Sequence, residues 1–163
     1  MSRLSYCDLG SGIFLGACPR GGDHAVFLRG ELEVDVVINL QTDEDFRALG
    51  LRWESMWRAL VSQRLNVLRV PIRDLDARDL ATKLGDAVDT VAETLEMDNR
   101  IYLHCTVGIN RSPTVAIATL AGPLGMGYEK ALEHVRACRP KVVPDEDAIR
   151  AWLQQSHPEA LTS

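Results

Sequence analysis

The chain has 163 residues, 46% of them hydrophobic, and a formal net charge of -5 from 18 basic and 23 acidic residues. That length suits one well-buried core and is short for two domains of usual size. Because the charges are mixed along the chain, an extended surface for nucleic acid or anionic lipid is disfavoured, and any anion site has to be local.

The first residues, MSRLSYCDLGSG, lack the apolar core of a secretory signal, and no run of about eighteen apolar residues is available to span a membrane. A soluble, monomeric intracellular protein is expected, cytoplasmic unless an organelle transit peptide has been removed. Four short apolar runs rich in Val, Ile or Leu read as strands: GIFLG at 12–16, VDVVINL at 34–40, LNVLRVPI at 65–72 and IYLHC at 101–105. Between them lie helical patterns. Asp23 caps AVFLRGEL, a further helix falls near 43–63, and Asp79 caps a long one with Leu80, Leu84, Val88, Val91 and Leu95 on one face. Three more follow, at 112–122, at 128–138 from Tyr128, and at 145–155, where Pro144 and Asp145 form the start signal. There is no internal repeat and no linker. Strands alternating with helices, then a run of helices, predict a single α/β domain over residues 1–163: a largely parallel central sheet of four to five strands, flanked by helices.

In such sheets ligands bind at the carboxyl ends of the strands. HCTVGINRS, residues 104–112, falls there, between the strand IYL and the apolar helix PTVAIATLAG. A loop that cradles a tetrahedral dianion turns successive N–H groups inward, which requires positive φ at some positions; Gly108 supplies it and Asn110 tolerates it. The backbone of Thr106, Val107, Gly108, Ile109, Asn110, Arg111 and Ser112 thus lines a phosphate site, at the N-terminal, partially positive end of the next helix. Arg111 can hold two phosphate oxygens with its planar fork. Cys105 then lies under the phosphorus, where the same donors favour its thiolate, the nucleophile.

Leaving-group departure calls for a carboxylic acid on a neighbouring loop. RDLDARD offers Asp74, Asp76 and Asp79; Asp79 reads as the helix cap and Asp76 as a solvated turn residue, which leaves Asp74. Ser112 is either a helix cap or a hydroxyl that stabilises the Cys105 thiolate in the second step. His104 is expected to orient the loop. His24, His134 and His157 give no metal-ligand spacing, so neither metal nor other cofactor is called for. Cys7, Cys18 and Cys138 read as structural thiols in a reducing compartment, with Cys138 a candidate redox partner.

With these residues in view, HCTVGINRS resembles the H-C-x5-R-S/T signature of the cysteine-dependent protein phosphatases. Asp74, 31 residues before Cys105, lies where the dual-specificity branch keeps its general acid. FLGACPR, VINLQTDEDF, VPIRDLDARDL and PDEDAIR together are similar to the plant glucan phosphatases, the starch-excess and like-starch-excess proteins. The resemblance implies a phosphocysteine mechanism with Cys105 as nucleophile, Arg111 as phosphate binder and Asp74 as acid, on a phosphorylated glucan, protein or lipid. The chain departs from the glucan enzymes' C-x-A-G-x-G-R loop at Val107 and Asn110. It also carries Leu75, Ala48 and Leu49 where aromatic residues would meet sugar. A silent phosphate-recognition module and another cysteine-loop enzyme, such as a sulfurtransferase, are the competing readings.

Overall fold

The computed structural model describes residues 2–162. In chain order the strands are β1 (Tyr6–Asp8), β2 (Ile13–Gly16), β3 (Val36–Asn39), β4 (Asn66–Arg69) and β5 (Ile101–His104). The helices are α1 (Gly22–Gly30), α2 (Asp43–Ala48), α3 (Trp53–Ser62), α4 (Ala77–Glu96), α5 (Arg111–Ala121), α6 (Tyr128–Cys138) and α7 (Glu146–Ser156), followed by a short 3-10 turn at Pro158–Leu161.

The strands form one sheet in the order β1-β2-β5-β3-β4, parallel except at β1. Alternate side chains of a strand face opposite ways, and here both faces are apolar. Ile13, Leu15, Val36, Ile38, Ile101 and Leu103 join the cluster built on α4, α5, α6 and α7. Phe14, Val37 and Tyr102 pack on the other side against Ala25 and Leu28 of α1 and Leu60 of α3. Two-sided burial explains why these strands read as continuous apolar runs. Strand β1 escaped the sequence reading because its three residues, Tyr-Cys-Asp, carry no apolar run.

Residues Gly16, Asn39 and His104 stand side by side in register, so β2, β3 and β5 end at one edge. The loops after β2, β3, β4 and β5 emerge there together.

Four expectations need correction. Asp23 does not cap α1: Gly21 holds the cap position and Asp23 lies inside the first turn. The helix expected near 43–63 is two helices, because Gly50 at φ +68 takes the left-handed position after α2. Its N–H bonds Arg47 O at 3.0 Å and that of Leu51 bonds Phe46 O at 2.9 Å, a paired closure that stops the helix. Asp79 is not the cap of α4. Asp76 is: its Oδ1 accepts the Asp79 N–H at 2.9 Å, while the Asp79 carboxylate takes the N–H of Arg73 at 2.7 Å and pairs with Lys83 at 3.0 Å. Finally, Cys7 and Cys138 are a disulfide rather than two thiols, with Cα atoms 6.0 Å apart across a separation of 131 residues. Edge strand β1 runs antiparallel beside β2 and so meets the end of α6, a proximity no spacing in the sequence signals. Among the described residues no helix is long and apolar enough to cross a membrane.

Candidate active site

Residues 105–110 link β5 to α5, a helix buried along its whole length. Every carbonyl of this loop is held from outside. Cys105 O lies 2.9 Å from His104 Nδ1, and Thr106 O accepts Cys18 N–H at 3.0 Å. Val107 O and Gly108 O accept Arg139 Nη2 and Nε, each at 2.8 Å. Ile109 O accepts Val143 N–H at 2.7 Å, and Asn110 O accepts both the N–H and the hydroxyl of Thr114, at 3.0 and 2.7 Å. A planar trans peptide points its N–H opposite its C=O, so outward carbonyls turn the N–H groups of residues 106–110 toward the centre of the loop. Among the described residues these N–H groups bond no protein acceptor. The result is a ring of donors fitted to an anion.

Gly108 has φ +71, and a Cβ there would lie 2.7 Å from Gly16 backbone atoms and 2.9 Å from Arg139 Nη2, so both conformation and space demand glycine. Asn110, expected to tolerate positive φ, has φ -116 instead. Its side-chain amide donates to Val143 O at 2.8 Å, tying the loop to the segment before α7.

Cys105 is buried at the foot of the loop, its Sγ 3.2 Å from Ser112 Oγ. Ser112 lies inside α5, one residue past its start, and Asn110 holds the cap position, so of the two readings of Ser112 the hydroxyl-to-sulfur contact is the one present. His104 is fully buried. Burial pushes its imidazole down to about 4, outweighing the upward pull of the Cys105 carbonyl, so the ring is neutral at pH 7 and donates from Nδ1. The remaining free cysteine, Cys18, is pushed up to about 11, chiefly by burial, and is an inert thiol.

Arg111 is 2% exposed and aimed by groups the sequence reading missed. Its Nη1 donates to Asp45 Oδ2 and to Ile72 O, each at 2.8 Å, and its Nη2 to Thr106 Oγ1 at 3.2 Å. The Nε atom is buried without a hydrogen-bond partner. It lies 3.4 Å from Asp74 Oδ1, near enough for ion pairing but misaligned for a bond. Nη2 also reaches Asp45 Oδ1 at 3.4 Å, so among the described residues Nε carries the one guanidinium hydrogen without an acceptor, and a phosphate that takes the Nε–Nη2 edge has to replace Thr106 Oγ1 on Nη2. Asp45 does double duty, closing a capping box with Thr42 at the start of α2. Burial raises its carboxyl, but the hydrogen bonds from Arg111 and the Thr42 backbone prevail and hold it below the usual carboxylate range. The Thr-x-x-Asp spacing of 42–45 was legible as a cap; its pairing with Arg111 was not. Asp45→Asn keeps a capping oxygen and removes the charge. It is expected to raise KM for phosphate esters about tenfold or more, since a hydrogen bond to a charged group is worth about 1.5–3 kcal/mol. Steady-state kinetics check this, and an unchanged KM reduces Asp45 to a cap.

Asp74 is 47% exposed on the loop after β4, beside Arg111. A cavity of about 510 Å³ opens there, lined by Asp45, Arg73, Asp74 and Leu75. The structure thus brings Cys105, Arg111, Ser112 and Asp74 to one sheet edge.

Comparison with known proteins decides the family. Residues 13–156 match the model of the dual specificity phosphatase catalytic domain. The chain belongs to the dual-specificity phosphatases. Relatives of this dual-specificity phosphatase include laforin of Mus musculus, 29% identical over 162 residues, which cover 93% of this chain and 49% of laforin. Another is the chloroplastic phosphoglucan phosphatase LSF1 of Arabidopsis thaliana, 26% identical, with 91% of this chain and 25% of that protein covered. The chain thus spans half or less of the length of these two relatives. The crystal structure of PTPMT1 shares the fold, with a TM-score of 0.73 at 20% identity over 95% of each chain.

Proposed function

We propose that this dual-specificity phosphatase domain hydrolyses phosphate monoesters through a phosphocysteine intermediate. The observation that carries the reading is the loop of outward carbonyls, with Cys105 at its foot and the Arg111 guanidinium buried beside it. The inward N–H groups and Arg111 bind the phosphoryl oxygens and gain strength as charge spreads over them in the transition state. The Cys105 thiolate attacks phosphorus in line, the P–O ester bond breaks, and Asp74 gives its proton to the departing oxygen. In the second step Asp74 takes a proton from the attacking water, the P–S bond breaks, and the Ser112 hydroxyl donates to the departing thiolate.

Phosphoglucan is the leading substrate class, supported by the relatives named phosphoglucan phosphatases. The rim favours a second class. Leu75, directly after the acid, is 93% exposed, and Val107 and Val143 stand exposed at the loop, an aliphatic border suited to a phosphopeptide rather than to stacking on sugar. Hydrolysis of phosphorylated amylopectin, phosphopeptides and phosphoinositides side by side ranks the classes.

The reaction is tested with p-nitrophenyl phosphate. Turnover is expected, insensitive to EDTA because no step passes through a metal, and lost on treatment with thiolate-directed oxidants. Inactivation by EDTA that a divalent ion reverses overturns the mechanism.

A further inference from the structure

Arg139 has no part in the chemistry above, yet two of the six outward loop carbonyls depend on it. Its Nε bonds Gly108 O and its Nη2 bonds Val107 O, both at 2.8 Å, a planar fork laid across two successive peptides. Those two peptides carry the N–H groups of Gly108 and Ile109. Holding their oxygens outward holds these two donors inward. The guanidinium also closes over the face of Gly108 that lacks a side chain.

What places Arg139 is equally specific. It directly follows Cys138, the last residue of α6, and Cys138 is bonded to Cys7 in the middle of β1. Strand β1 is locked to β2, where Cys7 faces Leu15 one residue before the Gly16 that packs under the loop. The disulfide therefore ties the Arg139 end of α6 to the strand that supports the loop from beneath. Opened, the pair is not left without partners: the Cys138 thiol has the Asp8 carbonyl 3.2 Å away as an acceptor. That weak hydrogen bond and the contact of His134 Nε2 with Leu9 O at 2.6 Å then hold α6 to the hairpin in place of a covalent tie.

We infer that Arg139 is a positioning residue for phosphate binding, and that the Cys7–Cys138 disulfide sets its grip on the loop. The inference rests on the phosphate-loop reading above. Reduction by a dithiol breaks the S–S bond: two electrons and two protons pass to Cys7 and Cys138, giving two thiols, while the dithiol closes to its own disulfide. Arg139 then keeps its backbone bond to Val135 O at 2.8 Å, and α6 its contact from His134 to Leu9 O at 2.6 Å, but the covalent tie is gone and the two loop peptides gain some freedom to rotate.

The test uses Cys105→Ser protein, which has no catalytic sulfur whose oxidation state the dithiol could change, with inorganic phosphate as the probe and calorimetric Kd as the readout. Arg139→Met is expected to weaken phosphate binding about tenfold or more, and Arg139→Lys, which can reach one carbonyl at a time, by less. Reducing the disulfide, verified by thiol counting, is expected to weaken binding about two- to fivefold in the Arg139 protein and to have no further effect in Arg139→Met, because both act through one contact. In protein with Cys105 intact, Arg139→Met raises KM for p-nitrophenyl phosphate more than it lowers kcat. Equal Kd for Arg139, Arg139→Lys and Arg139→Met overturns the positioning role, and a reduction effect that persists in Arg139→Met overturns the disulfide's part. Reduction changes no residue, so that arm stands even where Arg139→Met fails to fold. Absence of phosphate binding in every form, with p-nitrophenyl phosphate turnover also absent, removes the phosphatase reading itself and the inference with it; turnover with no shift in Kd removes the inference alone.

Discussion

Cys105→Ser is expected to abolish turnover of p-nitrophenyl phosphate while inorganic phosphate or vanadate still binds. The two halves of this expectation come from different parts of the site. Binding belongs to the backbone N–H ring and Arg111, whose aim is set by Arg139, Asp45 and Ile72 rather than by the thiol. Turnover belongs to the sulfur, since a serine hydroxyl in the same place is a far weaker nucleophile at neutral pH and a poorer group to expel in the second step. A variant that keeps more than about a hundredth of the wild-type rate contradicts covalent catalysis at this residue. Rapid-quench labelling with a phosphorylated substrate supplies the direct check: acid-stable phosphate on the protein appears with Cys105 and not with Ser.

Asp74→Asn is expected to lower kcat by about 10²–10⁴-fold on alkyl phosphates, whose alkoxide cannot depart unprotonated. With p-nitrophenyl phosphate, whose leaving group departs as an anion, the loss is much smaller. Geometry separates Asp74 from its neighbours. Its carboxyl faces the Arg111 Nε at 3.4 Å, whereas Asp76 caps α4 and Asp79 is bonded to Arg73 and Lys83. Asp76→Asn, which retains a capping oxygen, leaves the leaving-group dependence as in the wild type. The opposite pattern moves the acid two residues along the chain.

Much of this site is a local property of the chain. The strand IYLH, the glycine at 108, the arginine at 111 and the apolar helix after it lie within about twenty consecutive residues, so strand propensity, left-handed glycine and helix start combine without help from the rest of the fold. The buried strands β2, β3 and β5 were legible for the same reason, as was the buried stripe of α4. Errors arose where two local signals competed. Asp76 and Asp79 are both good caps three residues apart, and what separates them is that Arg73 and Lys83 occupy Asp79. The run 43–63 reads as one helix until Gly50 is seen in its closure after α2.

The groups that aim the site were decided by tertiary structure alone. Asp45 meets Arg111 across 66 residues, Arg139 meets the Gly108 carbonyl across 31, and Cys7 meets Cys138 across 131. Each meeting depends on the sheet order, which sets β2, β5 and β3 side by side and ends them at one edge. By itself the sequence determined which atoms are candidates to react, because a proposed nucleophile, a fork and a glycine turn are written into one short segment. Their orientation came from partners on distant segments, since a hydrogen bond selects its acceptor by position in space and the chain's order carries no record of that position until the sheet has formed.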